Sequence, residues 1–244
     1  MPHTSLIFTI LVGALASGNY DRVAGFYDAL AGLVFGRALR QAQRAALRAG
    51  LPPGRPRVLV LGGGAGWVLS ELRRQRPAAP VLYLEASGRM LARARQRLQR
   101  EDAALPGAPV AGQVEFRCGT EQDLRPDEQF DAIITFFVLD CFPADLLPAA
   151  LRRLDAARRP AAPWLLADFR LPRRWWQHLL LRAMYTFFRL TTGLRARHLP
   201  DLPAALAALG LRYRPVGTFY AGAVEAAVFE PDRAPTPAGG SKSS

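Results

Sequence analysis

The sequence predicts an α/β fold: a Rossmann-like, mostly parallel, seven-stranded sheet with helices on both faces and an antiparallel hairpin at its C-terminal end. Three observations predict it. Across residues 58–169 short apolar runs alternate with helical stretches, the pattern of parallel strands joined by right-handed crossovers and covered on both faces. The first of these runs ends in a glycine cluster, Gly62-Gly63-Gly64-Ala65-Gly66, as a tight strand-to-helix turn requires. The last two strand-like runs, 212–216 and 223–229, are separated only by a turn region at 217–222, which fits a hairpin.

Taken in order, residues 6–16 form an apolar run that resembles the core of a signal peptide, but no Lys or Arg precedes it and it is short for a membrane span. A buried or interfacial segment is expected there. Tyr20-Asp21-Arg22-Val23-Ala24-Gly25-Phe26-Tyr27-Asp28 follows, then alanine- and leucine-rich helix to about Ala49, broken by Gly50, Pro52, Pro53 and Gly54. Strands are predicted at 58–61, 81–84 (ending at Glu85), 114–117, 130–137 and 164–169, with helices at 67–74, 90–99 and 144–157. The aromatic-rich helical stretch 173–190 breaks the alternation and reads as an insertion; a further helix is expected at 202–209. Pro, Gly and Ser dominate from Pro231 onward, so the tail is expected to be disordered. The chain thus divides into an N-terminal segment with cap helices (1–50), a main domain (51–230) with a helical insertion near 173–209, and a tail (231–244).

With 244 residues, half of them hydrophobic, the chain can bury one full core. Its formal charge of +12 comes from arginine, Lys242 being the single lysine. Arg37, Arg40, Arg44 and Arg48, and again Arg89, Arg93, Arg97 and Arg100, share a helical face. No aromatic platform or nucleic-acid module accompanies these stripes, so solvated helix faces are expected and a specific nucleic-acid partner is not. Peripheral contact with an anionic membrane surface stays open. Cys118 and Cys141, the two cysteines, suggest neither a disulfide framework nor a zinc site, consistent with a reducing, cytoplasmic setting.

The chemistry concentrates at strand ends. The glycine turn lets a ligand approach the backbone at a helix N-terminus. Glu85 ends the next strand, where a carboxylate can accept hydrogen bonds from ribose hydroxyls. Trp67 occupies the third glycine position of a dinucleotide fingerprint, which disfavours a nicotinamide cofactor.

At these residues the sequence resembles the class I S-adenosylmethionine (SAM)-dependent methyltransferases. Gly62, Gly64 and Gly66 match that family's G-x-G-x-G loop, with Gly63 inside it, and Glu85 matches its ribose-binding acid. The 118–124 segment looks like its third cofactor segment and 130–137 like its fourth strand motif; the Tyr20 region is similar to the start of ubiquinone and menaquinone methyltransferases. The resemblance implies SAM as cofactor and no metal. It also implies pocket roles for Thr120, Glu121, backbone groups near Phe136, and the rings of Tyr20 or Tyr27. Val60 stands where the family often has an acid near the methionine amino group, and Thr120 where many members have an aspartate near the adenine amine.

Methyl transfer needs alignment more than a dedicated catalytic group. Where the acceptor carries a proton a base helps, and the candidates are Asp140, just after the fourth strand, and His178 in the insertion. Asp140 has a competing reading as the N-cap of the next helix. Asp168 either orients a substrate or closes the fifth strand. In the insertion, Trp176, Leu180, Met184 and Phe187 or Phe188 share one face, fitting a helix packed on the sheet, an apolar lid or a membrane-facing surface. The expected function is methyl transfer to a small, apolar or aromatic acceptor. A non-catalytic binding protein of the same fold and an NAD-dependent oxidoreductase are the alternatives.

Overall fold

The computed structural model describes residues 37–104, 112–171, 175 and 200–232. The 6–16 run, Tyr20, Tyr27, His178, nearly all of the insertion and the tail beyond residue 232 lie outside the described residues.

β1 (Val58–Leu61) lies inside the sheet, and its four apolar residues are all buried because both faces are covered. Val58 and Val60 join one core with the helices α1 (Ala38–Gly50), α2 (Trp67–Gln75) and α3 (Gly88–Ala103). Leu59 and Leu61 join the opposite core with α4 (Leu147–Ala156) and α5 (Leu202–Ala207). That alternation follows from the two-residue repeat of a strand.

The other strands are β2 (Val81–Glu85), β3 (Val114–Cys118), β4 (Ala132–Phe136), β5 (Trp164–Phe169), β6 (Leu211–Phe219) and β7 (Val224–Pro231). They form one seven-stranded sheet in the order β3-β2-β1-β4-β5-β7-β6. The first five run parallel, and β7 is antiparallel to both β5 and β6. The chain order switches beside β1, so the carboxyl ends of β1, β2 and β4 open onto one crevice, where α/β sheets bind ligands. Thr135, buried inside β4, accepts a hydrogen bond from the Trp164 indole at 2.8 Å, so the one hydroxyl in that strand is satisfied.

Three details differ from the sequence reading. Gly50 is the last residue of α1 rather than a break before it; a Cβ there would sit 2.7 Å from Val228 Cγ2, so the missing side chain lets the helix lie close on the sheet. Strand β6 runs on to Phe219, because the register shifts at a bulge at Val216, and Gly217, flanking that bulge, pairs with Ala226 instead of opening the turn. The turn moves to Tyr220-Ala221-Gly222, all at positive φ. The arginine stripe on α1 is also partly absorbed by the fold. Arg40 and Arg44 lie 5.7 and 5.6 Å from the Trp67 ring centroid, and Arg44 pairs with Glu71 at 3.0 Å.

Candidate active site

β1 ends in a turn whose Gly62, Gly64 and Gly66 have φ of +65°, +61° and +88°, a region L-residues avoid. Tyr83, wholly buried on β2 beside Val60, donates its hydroxyl to the Gly64 carbonyl at 2.9 Å. It lies directly under Gly63, where any Cβ would run into it. At Gly64, by contrast, a Cβ would meet no described residue within 4 Å. Among the described residues the turn is therefore packed from below and open above.

Glu85 ties this turn to the next. Its Oε2 accepts from the Gly64 amide and its Oε1 from the Ser87 amide, each at 2.9 Å, although the residue is only 6% exposed. Ser87 in turn caps α3, its hydroxyl accepting from the Met90 amide at 3.2 Å. Each carboxylate oxygen has lone-pair capacity beyond one amide. Gly119 donates its amide to the Glu85 carbonyl at 3.0 Å, which brings Thr120 and Glu121 alongside.

Thr120 opens a short 3-10 turn, Glu121–Asp123, as half of a capping box: its hydroxyl accepts from the Gln122 amide while Asp123 accepts from the Thr120 amide. Glu121 is buried, and burial holds its carboxyl above the usual range. Phe136 ends β4 with its ring in the core beside α1 and α2, so its side chain is packing and only its backbone is at the crevice. Phe137, read from the sequence only as the last residue of the fourth strand, takes a left-handed φ of +54° and packs edge-on against Phe169 at 5.5 Å. Strain of this kind gathers at functional sites. Tyr83 is the other residue missed, since a tyrosine inside a buried strand looks like core.

Asp140 does not cap the next helix. It lies inside a 3-10 turn, Leu139–Cys141, while α4 starts at Leu147 behind Leu146. Its carboxylate accepts from the Cys141 thiol at 3.5 Å, and burial pushes its pKa up to about 6. Asp168, near the end of β5, is 2% exposed; its Oδ1 accepts from the Phe169 amide at 2.8 Å. Its Oδ2 is the buried side-chain oxygen or nitrogen that lacks a hydrogen-bond partner among the described residues. Burial, and then the charge of Asp140, hold the Asp168 carboxyl well above the usual range. The two acids therefore repel each other, so their ionisations are linked. Glu85, Asp140 and Asp168 thus gather at the carboxyl ends of β2, β4 and β5. Tyr20, Tyr27 and His178 lie outside the described residues.

Residues 58–161 match the family model described as a methyltransferase domain. Comparison with curated proteins gives no match. Among solved structures, the YcgJ protein of Bacillus subtilis is similar with a TM-score of 0.57 at 20% identity, covering 73% of this chain and 71% of that one. The N-methyltransferase NodS of Bradyrhizobium japonicum, with S-adenosyl-L-homocysteine bound, gives 0.56 at 16% identity, covering 81% and 88%. Magnesium protoporphyrin IX methyltransferase of Synechocystis, also with S-adenosyl-L-homocysteine, gives 0.57 at 19% identity, covering 80% and 83%. These likenesses show the fold. The matched span, under half of the chain, starts at the first residue of β1 and runs through the glycine turn, Glu85 and Asp140, so the residues that build the site are the ones similar to a methyltransferase domain.

Proposed function

We propose that the chain transfers a methyl group from SAM to a small acceptor of apolar or aromatic character, and that the crevice at the ends of β1, β2 and β4 is where transfer occurs. The space above Gly64, filled by none of the described residues and bordered by the Glu85 carboxylate, is the observation that carries this reading. The residues present fit the cofactor: a turn without side chains for close approach, and a buried acid for ribose hydroxyls. When bound, SAM supplies a methyl group on a sulfonium centre. The chain's own part is placement. Gly62–Gly66 and Glu85 hold the nucleoside, the backbone after Phe136 borders the crevice, and Val60 leaves the methionine end to other groups. Asp140 is then the base for an acceptor that loses a proton, because a carboxyl titrating at about 6 is mostly ionised at pH 7.5 yet basic enough to act.

Calorimetric titration with SAM and, separately, NAD tests the cofactor assignment. Saturable SAM binding without NAD binding is expected; folded protein that binds NAD alone, or neither, overturns it. Transfer of a labelled methyl group to a panel of small aromatic amines, phenols and carboxylic acids then finds the acceptor class.

No helix among the described residues is long and apolar enough to cross a membrane. A cytoplasmic enzyme with peripheral membrane contact is part of the proposal, supported by Leu171 and Trp175, 50% and 78% exposed where the insertion begins. Vesicle pelleting of the full chain against a form starting at Asn19 tests that contact. Equal pelleting counts against a role for the N-terminal run.

A further inference from the structure

A cavity of about 270 Å³ opens at the end of β5, against the start of α5. Its walls include Leu171, Pro200, Pro203 and the Tyr213 ring, so a ligand there meets an apolar surface. Among the described residues its charged lining is three acids, Asp168, Asp201 and Glu225, against one base, Arg170. Arg170 pairs with Glu225 at 2.8 Å and the Tyr213 hydroxyl donates to Glu225, so these three satisfy one another. Asp201 caps α5, with Oδ1 accepting from the Ala204 amide at 3.1 Å. That leaves Asp168, almost wholly buried, which lines the cavity and whose Oδ2 has no hydrogen-bond partner among the described residues.

We propose that this cavity anchors a primary or secondary amine on the acceptor, with the Asp168 carboxylate as its partner. The inference rests on the methyltransferase reading and names the substrate class of that site. A buried carboxylate oxygen without a donor costs on the order of 1–3 kcal/mol, and a protein keeps such a group where a ligand satisfies it. Among the described lining residues the excess of acid over base favours a cation over carboxylates and phosphates. Burial and the Asp140 charge, which hold the Asp168 carboxyl well above its usual range, are both offset by an ammonium group. The position also suits an acceptor. β5 is two strands from β1, about 10 Å at the usual spacing, and Asp140 lies in the turn that follows the intervening strand.

The test uses wild-type protein with and without saturating S-adenosylhomocysteine, and three probes on one frame: benzylamine, benzyl alcohol and benzoate, followed by ligand-observed NMR. Benzylamine should bind at least tenfold more tightly than the alcohol, with benzoate weakest, and D168N should reduce the amine preference to less than threefold. Equal binding of amine and alcohol, tighter binding of benzoate, or an amine preference that survives in folded D168N overturns the proposal. The wild-type ranking decides the matter if D168N does not fold. Failure of the nucleoside to bind sinks the methyltransferase reading instead, while the probe ranking in its absence still reports on the cavity.

Discussion

Glu85 accepts two backbone amides as well as facing the crevice, so its loss reaches further than ligand contact. Removing it leaves two amides without their acceptor, each worth about 1–3 kcal/mol when buried. E85A is expected to weaken SAM binding at least tenfold and to lower the melting temperature by several degrees, read by calorimetry and thermal unfolding. Wild-type stability in this variant would show that the amides find other partners. Gly64 separates the two effects. G64A meets no atom of the described residues within 4 Å, so its cost to the fold among them is the left-handed backbone, about 1–2 kcal/mol, while its methyl group enters the space assigned to the cofactor. SAM affinity should fall by tenfold or more with a small change in melting temperature; unchanged affinity would place the cofactor elsewhere. Gly64 and Glu85 were legible in the sequence because glycine and acid at strand ends have few other uses. Asp140 and Asp168 were legible only as positions: the orphaned oxygen and the repulsion between the two carboxyls arise from strands more than twenty residues apart. The hydroxyl of Tyr83 left no local trace.

Among the elements, the five parallel strands were legible because strands buried on both faces leave short, continuous apolar runs; β5 was predicted with the bounds it has, 164–169. Ends set by tertiary contact were not. Gly50 reads as a helix breaker in isolation, yet it stays helical because α1 must lie against Val228 and Leu165. G50A should therefore destabilise the protein by about 1–3 kcal/mol by overpacking, despite alanine's better helix propensity. V228A should recover part of that loss in the double variant, as urea unfolding can show; strict additivity would mean the two sites do not touch. Gly217 misled in the same way, since a glycine beside a strand bulge and one in a turn look alike in sequence.

For the molecule as a whole, its acids pull the stability profile in opposite directions. Glu128 is held down to about 2, chiefly by the hydrogen bonds of Arg117, and Glu71 is also lowered, because burial, its largest single influence, is outweighed by Arg44, Gln75 and Arg74 together. A lowered folded pKa gives stability that is present above the ordinary value of roughly 4 and lost as pH falls toward the folded value. Asp140, Asp168 and Glu121 are raised by burial, so their penalty is absent in acid and grows as pH rises, passing through about 6 for Asp140. Stability should therefore peak at roughly pH 5 and fall by a few degrees of melting temperature toward pH 8, the drop being moderate because Asp140 is partly accessible and screened. D140N should flatten that decline; a profile rising from pH 5 to 8 would refute the account. The seat of α1 has a consequence for synthesis. The first described helix rests on β5, β6 and β7, and Arg214 donates to the Ala49 carbonyl across 165 residues of chain. On the ribosome, α1 must wait for the last two strands to emerge, so a chain cut short before β7 loses the packing of its beginning along with its end.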